Sequence, residues 1–238
     1  MQTSAATVYL IPSFLDEHAL GPLPAYILDA VRSCSVFFVE NERSARRYLK
    51  MLWKEMVIDE YEWHTIDKVE ADASVGSSFR AALARGATIG IISEAGCPGI
   101  ADPGQILTAI AQEAGATIRP LAGPSSTLLA LMASGLNGQQ FKFNGYLPVD
   151  SEGRRAAIRN LEAESARQQC TQIFIETPYR NNQLVTTLLS TCRPSTRLCI
   201  AANLTAPREY IRTRTISSWR ETPPPDLHKQ PAIFCLLA

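Results

Sequence analysis

Ile91-Ile92-Ser93-Glu94-Ala95-Gly96-Cys97-Pro98-Gly99-Ile100-Ala101-Asp102-Pro103-Gly104 closes an apolar run and opens a loop rich in glycine and proline. A helical segment, a short β-branched run at Ala116 to Arg119 and a second loop, Leu121-Ala122-Gly123-Pro124-Ser125-Ser126, complete the 36 residues from Ile91 to Ser126. Twice within this span a strand feeds a Gly/Pro loop that opens an apolar helix. A parallel α/β sheet presents a small-molecule site in this way, at the carboxyl ends of its strands, where helix-start amides are approached closely. Ordinary strand-to-helix turns also favour glycine and proline. Two such loops in succession favour the site.

Outward from this centre the first half repeats the pattern. Thr7 to Ile11 reads as a buried strand stopped by Pro12. Leu23 to Val31 has helical spacing behind Pro22 and Pro24, where a missing N–H costs little. Val36-Phe37-Phe38-Val39, within the strand predicted over Ser35 to Glu40, is a continuous apolar run of the kind buried on both faces. The polar Glu40-Asn41-Glu42-Arg43 and an amphipathic helix over Ser44 to Trp53 follow. Val57 to Ile66 is a strand or a loop. Ala73 to Arg85 reads as a helix ended by Gly86, and Thr88 to Ile92 as the central strand. Asp102 is expected to cap the next helix, with Pro103 at its first position. Thr127 to Leu136 is apolar on nearly every side, so burial at an internal boundary rather than on the surface is expected.

The second half reads as a mixed sheet. Strands are expected at Phe141 to Tyr146, Gln172 to Glu176, Arg197 to Asn203, Glu209 to Ile216 and Pro231 to Leu237, and helices at Glu152 to Ser165 and Tyr179 to Leu189. The fold class is therefore α/β in two domains, 1-121 with a mainly parallel sheet and 122-238 with a mixed one.

Composition narrows the function classes. At 238 residues, 46% hydrophobic and 19% charged, the chain can bury a substantial core and is not a disordered polymer. No apolar run reaches the length of a membrane span. Met1 to Thr7 lacks the basic and apolar regions of a secretory leader, so a cytoplasmic protein is expected. Six scattered cysteines and three histidines, His18, His64 and His228, give no metal-ligand spacing, so no metal is expected. The formal net charge is zero, yet residues 151–220 hold eleven arginines against five glutamates. Such a surplus suits an anionic partner, or a solvated face.

The loops also carry a resemblance. Ser93-Glu94-Ala95-Gly96-Cys97-Pro98-Gly99-Ile100-Ala101-Asp102-Pro103-Gly104 resembles the S-D-A-G-x-P-x-x-x-D-P-G signature of the ribosomal RNA small-subunit methyltransferase I group of the tetrapyrrole methylase superfamily. Glu40-Asn41-Glu42-Arg43 with Arg46-Arg47 is similar to that group's E-D-T-R-x-x-R-R, and Leu121 to Leu136 to its P-G-P…S-G-L segment. Phe143 to Pro148 with Gly153-Arg154-Arg155, and Ile175-Glu176-Thr177-Pro178-Tyr179-Arg180, resemble two further motifs in the same order.

The resemblance implies a two-domain S-adenosyl-L-methionine-dependent methyltransferase, usually a homodimer, with the cofactor folded in a cleft between the domains. It places the cofactor against Glu94, Gly96, Pro98, Gly99, Ile100, Ala101, Pro124, Ser125 and Ser126. It adds Ile175, Glu176, Thr177, Asn203, Leu204, Pro231 and Ala232. Substrate contacts would be Glu40, Asn41, Arg43, Arg154 and Arg155, with ribosomal RNA of the small subunit as partner and a ribose 2′-hydroxyl as acceptor. No catalytic residue is assigned. The chain departs from the group in its first loop, where Ile11-Pro12-Ser13-Phe14-Leu15-Asp16 stands for T-P-x-G-N-L, and at Asn41 and Glu94. A tetrapyrrole or other small-molecule acceptor, and a catalytically silent binding protein, are the alternative readings.

Overall fold

The computed structural model describes residues 6–17, 19–66 and 73–238. Met1–Ala5, on which the expectation about a leader rests, and His18 lie outside them. The chain divides into two compact units, Met1–Pro124 and Ser125–Ala238.

Unit 1 runs β1 (Thr7–Ile11), α1 (Ile27–Ser33), β2 (Val36–Val39), α2 (Glu42–Leu52), a 3-10 turn (Ile58–Glu60), β3 (Glu62–Thr65), α3 (Ala73–Ala84), β4 (Thr88–Ile92), α4 (Gly104–Glu113) and β5 (Thr117–Pro120). The five strands lie in the order β3-β2-β4-β1-β5, all parallel. Strand alternation sends Phe37 and Phe38 to opposite faces. Phe37 stacks on Trp63 at 5.0 Å and joins the cluster formed by Ile27, Val31, Tyr48 and Leu49 from α1 and α2. Phe38 meets Phe79 edge-on at 5.0 Å, in the cluster that includes Leu83, Leu107 and Ala111 from α3 and α4. Each buried ring is worth about 2–3 kcal/mol of transfer free energy. The continuous apolar β2 is thus the consequence of helices on both faces. Connections from β1 and β2 leave toward one edge, and those from β3 and β4 toward the other. The carboxyl ends of β1, β2 and β4 consequently flank a topological switch point, where α/β sheets bind ligands.

Unit 2 runs α5 (Ser126–Ser134), β6 (Phe141–Tyr146), α6 (Ser151–Gln168), β7 (Thr171–Ile175), α7 (Asn181–Thr191), β8 (Arg197–Ala202), β9 (Tyr210–Thr215), α8 (Ile216–Glu221) and β10 (Ala232–Leu237). Its sheet has the order β6-β7-β10-β8-β9, parallel between β6 and β7 and antiparallel elsewhere. One face packs Leu198, Ile200 and Phe234 with Ile158, Leu161, Leu184 and Leu188 of α6 and α7 and with Trp219 of α8. The Trp219 indole N–H donates to the Leu198 carbonyl at 2.9 Å. On the other face Thr213, paired with Cys199, donates its hydroxyl to the Ser134 carbonyl of α5 at 2.7 Å.

Three readings are corrected. The helix expected at an internal boundary rather than on the surface, α5, buries Ala130, Leu131 and Ser134 on one stripe and leaves Leu128 48% and Met132 78% exposed. Its uniform apolarity does not mark burial, because only one side meets the sheet. Pro103, not Asp102, is the N-cap residue of α4, and the Asp102 carboxylate reaches the Gly104 N–H from one position further out. Ile216, read as the end of a strand, instead opens the helix α8.

Candidate functional site

The loop after β4 is shaped by three residues with left-handed backbone: Gly96 (φ 77°), Gly99 (φ 82°) and Ala101 (φ 58°). Glycine meets this requirement without strain at the first two positions. A Cβ on Gly99 would point into open space, whereas one on Gly96 would stand 3.3 Å from both Leu15 Cδ2 and the Pro124 carbonyl. The loop is pinned on several sides. Ser13 N–H donates to the Gly96 carbonyl at 2.9 Å, Ser93 Oγ donates to the same carbonyl at 3.0 Å, and the Cys97 thiol points to the Pro124 carbonyl at 3.5 Å. Gly123 lies so close to Pro12 that any side chain there would collide. The loops that follow β1, β4 and β5 therefore form one packed edge.

Charge enters from β2. Glu40, half-buried at the strand end, accepts the Glu94 N–H at 3.0 Å. Asp102 Oδ1 accepts the N–H groups of Gly99 and Gly104, each at 2.7 Å, and the Glu40 carboxyl stands beside that of Asp102. Burial, aided by Glu40, pushes the Asp102 carboxyl up from 3.8 to about 6, against the opposing effect of the two amides. Two carboxyl groups held this close oppose each other's ionisation.

Beside the pair is a cavity of about 10 Å³, lined by Ser13, Phe14, Glu40, Asn41, Ser44, Tyr48, Ser93 and Glu94. Tyr48 is held there by its hydroxyl, which donates to the Pro12 carbonyl at 2.6 Å, and by an edge-on contact of 5.4 Å with Phe14. Asn41 caps α2 by accepting the Ser44 N–H at 3.1 Å. Arg43 is exposed. A larger cavity of about 530 Å³ opens at the amino ends of the same strands, but among the described residues Arg80 and Glu113 are its only charged lining.

In unit 2 the sheet register brings three predicted stretches to one end. Ala232 pairs with Ala202 and Ile233 with Ile175, so Pro231 and Ala232 lie beside Asn203-Leu204 and Ile175-Glu176-Thr177. Asn203, left-handed at φ 51°, donates its N–H to the Pro231 carbonyl at 2.9 Å. Glu176 is buried, and its Oε1 accepts from Thr177 N–H and from Arg180 Nε and Nη2. Ser125 is the N-cap of α5, with Ser126 first in the helix. Pro98 and Pro124 are buried, Ile100 is half exposed and Glu94 is exposed. Arg154 is 1% exposed and donates to the Val149 carbonyl at 3.0 Å, whereas Arg155 is exposed.

Five of the cysteines are buried and Cys97 is half-buried, and burial pushes the Cys34 and Cys192 thiols up to about 12. They are inert at neutral pH. Among the described residues no three His, Cys, Asp or Glu side chains are grouped to hold a metal, and no helix is long and apolar enough to cross a membrane. Sequence reasoning assigned no role to Asp102 beyond helix capping and none to Ser13; the pairing of Asp102 with Glu40 is a tertiary contact without a local sequence signal.

Residues 23–219 match the family model for tetrapyrrole (corrin/porphyrin) methylases. The chain is 29% identical over 216 residues to a ribosomal RNA small subunit methyltransferase I of Micromonospora olivasterospora, covering 90% of this chain and 64% of that protein. It is 28% identical over 211 residues to the protein of that name from Vibrio cholerae, covering 87% and 68%. The chain thus spans about two thirds of the length of these relatives. Among solved structures, uroporphyrin-III-C-methyltransferase from Thermus thermophilus superposes with a TM-score of 0.55 at 16% identity, over 98% of this chain and 92% of that one, which shows a shared fold.

Proposed function

Because the chain belongs to the tetrapyrrole (corrin/porphyrin) methylase family, we propose that it transfers a methyl group from S-adenosyl-L-methionine to a ribose 2′-hydroxyl of small-subunit ribosomal RNA. The observation that carries the cofactor assignment is the Gly96 to Ala101 turn. Its left-handed residues hold an exposed backbone edge at the switch point of the sheet, and the open space at Gly99 is where a ligand can approach the main chain. The residues present fit this cofactor. Backbone amides and the Glu94 carboxylate suit its amino-acid and ribose groups, Ile100 offers apolar surface to its adenine, and Pro98, buried in the turn, is proposed to shape that surface. Ile175, Glu176, Thr177, Asn203, Leu204, Pro231 and Ala232, gathered at one end of the second sheet, are further proposed contacts, as are Pro124, Ser125 and Ser126.

When bound, the cofactor supplies an electrophilic methyl group on a sulfonium. The chain's own task is then to hold an acceptor oxygen in line with that carbon and to exclude water, and positioning supplies most of the rate. The names of the relatives support RNA as acceptor. The six-charge surplus of residues 151–220 supports a phosphate-rich partner. Substrate contacts are proposed at Glu40, Asn41, Arg43 and Arg155, and Arg154 is proposed to act through its hold on the Val149 backbone. We further propose a cytoplasmic homodimer.

Calorimetric titration with S-adenosyl-L-methionine and S-adenosyl-L-homocysteine tests the cofactor assignment. Micromolar binding that Pro98→Arg abolishes is expected; no heat and no thermal stabilisation at saturation sinks it. Transfer of a tritiated methyl group to unmodified small ribosomal subunits, declining steeply with salt, is expected for the acceptor, and light scattering reads the dimer.

A further inference from the structure

We propose that Glu40 is the proton acceptor for the methyl-accepting hydroxyl, that Asp102 is the positioning residue that holds it, and that Ser13 Oγ orients the same hydroxyl. This rests on the reading of the chain as a methyltransferase acting on a hydroxyl. A ribose hydroxyl attacking a methyl group must lose its proton, and a placed base is what such a reaction needs beyond alignment. Four observations in unit 1 converge on Glu40.

Its carboxyl group sits at the carboxyl end of β2 and lines the small cavity. Its Oε1 is fixed by the Glu94 N–H, and its carboxyl stands beside that of Asp102. Asp102 is immobilised by the amides of Gly99 and Gly104, so a proton received by Glu40 has a second oxygen site beside it. Ser13, which also lines the cavity, is 2% exposed, and its Oγ is buried without a hydrogen-bond partner among the described residues. A buried hydroxyl left unpaired is destabilising, and a ligand hydroxyl would supply the missing bond. The cavity, about 10 Å³, has the room that one water or one hydroxyl needs. Phe14, standing where the resembling group has glycine and packed on Tyr48, is part of its lining.

The other titratable groups on this cavity are Glu94, which is exposed, and Tyr48, whose hydroxyl is committed to the Pro12 carbonyl and held neutral by burial. Tyr48 does not compete for the proton. In the step, the hydroxyl oxygen forms its bond to the methyl carbon while the carbon–sulfur bond breaks and leaves its electrons on sulfur. The hydroxyl proton passes to the Glu40 carboxylate. One cationic sulfonium and one carboxylate become a neutral thioether and a carboxylic acid, so charge and atoms balance.

The test compares wild type, Glu40→Gln and Asp102→Asn in methyl transfer to unmodified small ribosomal subunits between about pH 5 and 9, with cofactor affinity measured by calorimetry. A 13C titration of the carboxyl-labelled wild type, without cofactor, runs alongside. Gln keeps an oxygen for the Glu94 N–H, so E40Q should bind S-adenosyl-L-methionine within about threefold of wild type and lose kcat by about 100-fold or more, the usual worth of a placed base. Asp102→Asn should shift the acid limb of the kcat profile to lower pH, because the remaining carboxylate no longer faces a like charge. The 13C titration should show the two carboxyl groups titrating as a coupled pair.

Wild type active with E40Q within about threefold in kcat overturns the assignment and leaves the methyltransferase reading standing. A wild-type titration in which both carboxyl groups behave as independent and ordinary overturns it also, whatever the variants do. Wild type that binds cofactor but methylates no hydroxyl overturns this assignment together with the acceptor reading.

Discussion

Ser13 donates its backbone N–H to the Gly96 carbonyl at 2.9 Å, an antiparallel bridge that locks the loop after β1 onto the loop after β4. The bridge explains how a first loop without the resembling group's glycine still serves the turn. Leu15 reaches over Gly96 and Phe14 packs away onto Tyr48, so the larger side chains are accommodated beside the turn and the Gly99 edge is left open.

Gly96→Ala and Gly99→Ala should therefore separate stability from binding. Both force alanine into left-handed backbone, at about 1 kcal/mol each. The Gly96 variant adds contacts of 3.3 Å with Leu15 and the Pro124 carbonyl and should cost about 2 kcal/mol in all. The Gly99 variant meets nothing in the protein, so its loss is confined to about 1 kcal/mol. Its methyl group, however, projects where the cofactor is proposed to approach, and its cofactor affinity should fall by tenfold or more, on the order of 1.4 kcal/mol. Denaturant unfolding and calorimetry read the two quantities; equal stability losses with unchanged affinity would refute the distinction.

Asp102 should give the fold a recognisable pH dependence. Its carboxyl is raised from 3.8 to about 6, chiefly by burial. A raised acid favours the folded state in its protonated form. The stabilisation is fully present below the unfolded value near 4 and is lost as pH rises through about 6. The difference in melting temperature between wild type and Asp102→Asn should therefore change across pH 4 to 6.5 and be flat above it. A difference that does not vary with pH across that window contradicts the raised carboxyl.

Much of the frame was legible because its signals are local. Thr88–Ile92 and Phe141–Tyr146 lie where the apolar runs put them, and Phe37 and Phe38 explain why β2 reads as unbroken apolar sequence. The segment 57–66, ambiguous in sequence, mixes a 3-10 turn with the edge strand β3, whose exposed Glu62 obscures the strand pattern. The six residues of α8 are too few for a helical period to appear, and their core residue Trp219 reads equally well as a strand residue. The loops that carry the candidate site were legible from glycine, proline and the resemblance. The Glu40–Asp102 pair and the unpartnered Ser13 hydroxyl were not, because they depend on three strand ends meeting in space.

Two neighbouring arginines of α6 should behave oppositely. Arg154 is buried and supports the Val149 carbonyl, so Arg154→Ala should cost about 2–3 kcal/mol through a lost charge-assisted bond and a cavity. Arg155 is exposed, so Arg155→Glu should leave stability within about 0.5 kcal/mol of wild type. If Arg155 meets RNA phosphate, the salt dependence of RNA binding should weaken by about one unit of slope in that variant. Filter binding at several salt concentrations measures it, and an unchanged slope removes Arg155 from the interface.

Glu176 anchors the start of α7 by joining three donors on one oxygen: the Thr177 N–H at 2.6 Å and Arg180 Nε and Nη2 at 3.0 and 2.6 Å. Its side chain is fully buried whereas that of Arg180 is 32% exposed. Glu176→Ala leaves the Thr177 amide unpaired, but water can reach the guanidinium. The expected loss is thus about 2–3 kcal/mol, below the 3–5 of a wholly buried pair. Glu176→Gln retains an oxygen for Thr177 and should lose about half as much. In the double variant with Arg180→Ala the coupling should be near 1 kcal/mol, since part of the interaction is screened. The same proteins bear on ligand binding. A direct contact between the Glu176 carboxylate and cofactor predicts that Gln lowers affinity by about tenfold at unchanged fold, whereas a purely structural carboxylate predicts an affinity loss only where the thermal melt shows unfolding. Calorimetry at a temperature where all variants are folded distinguishes these outcomes.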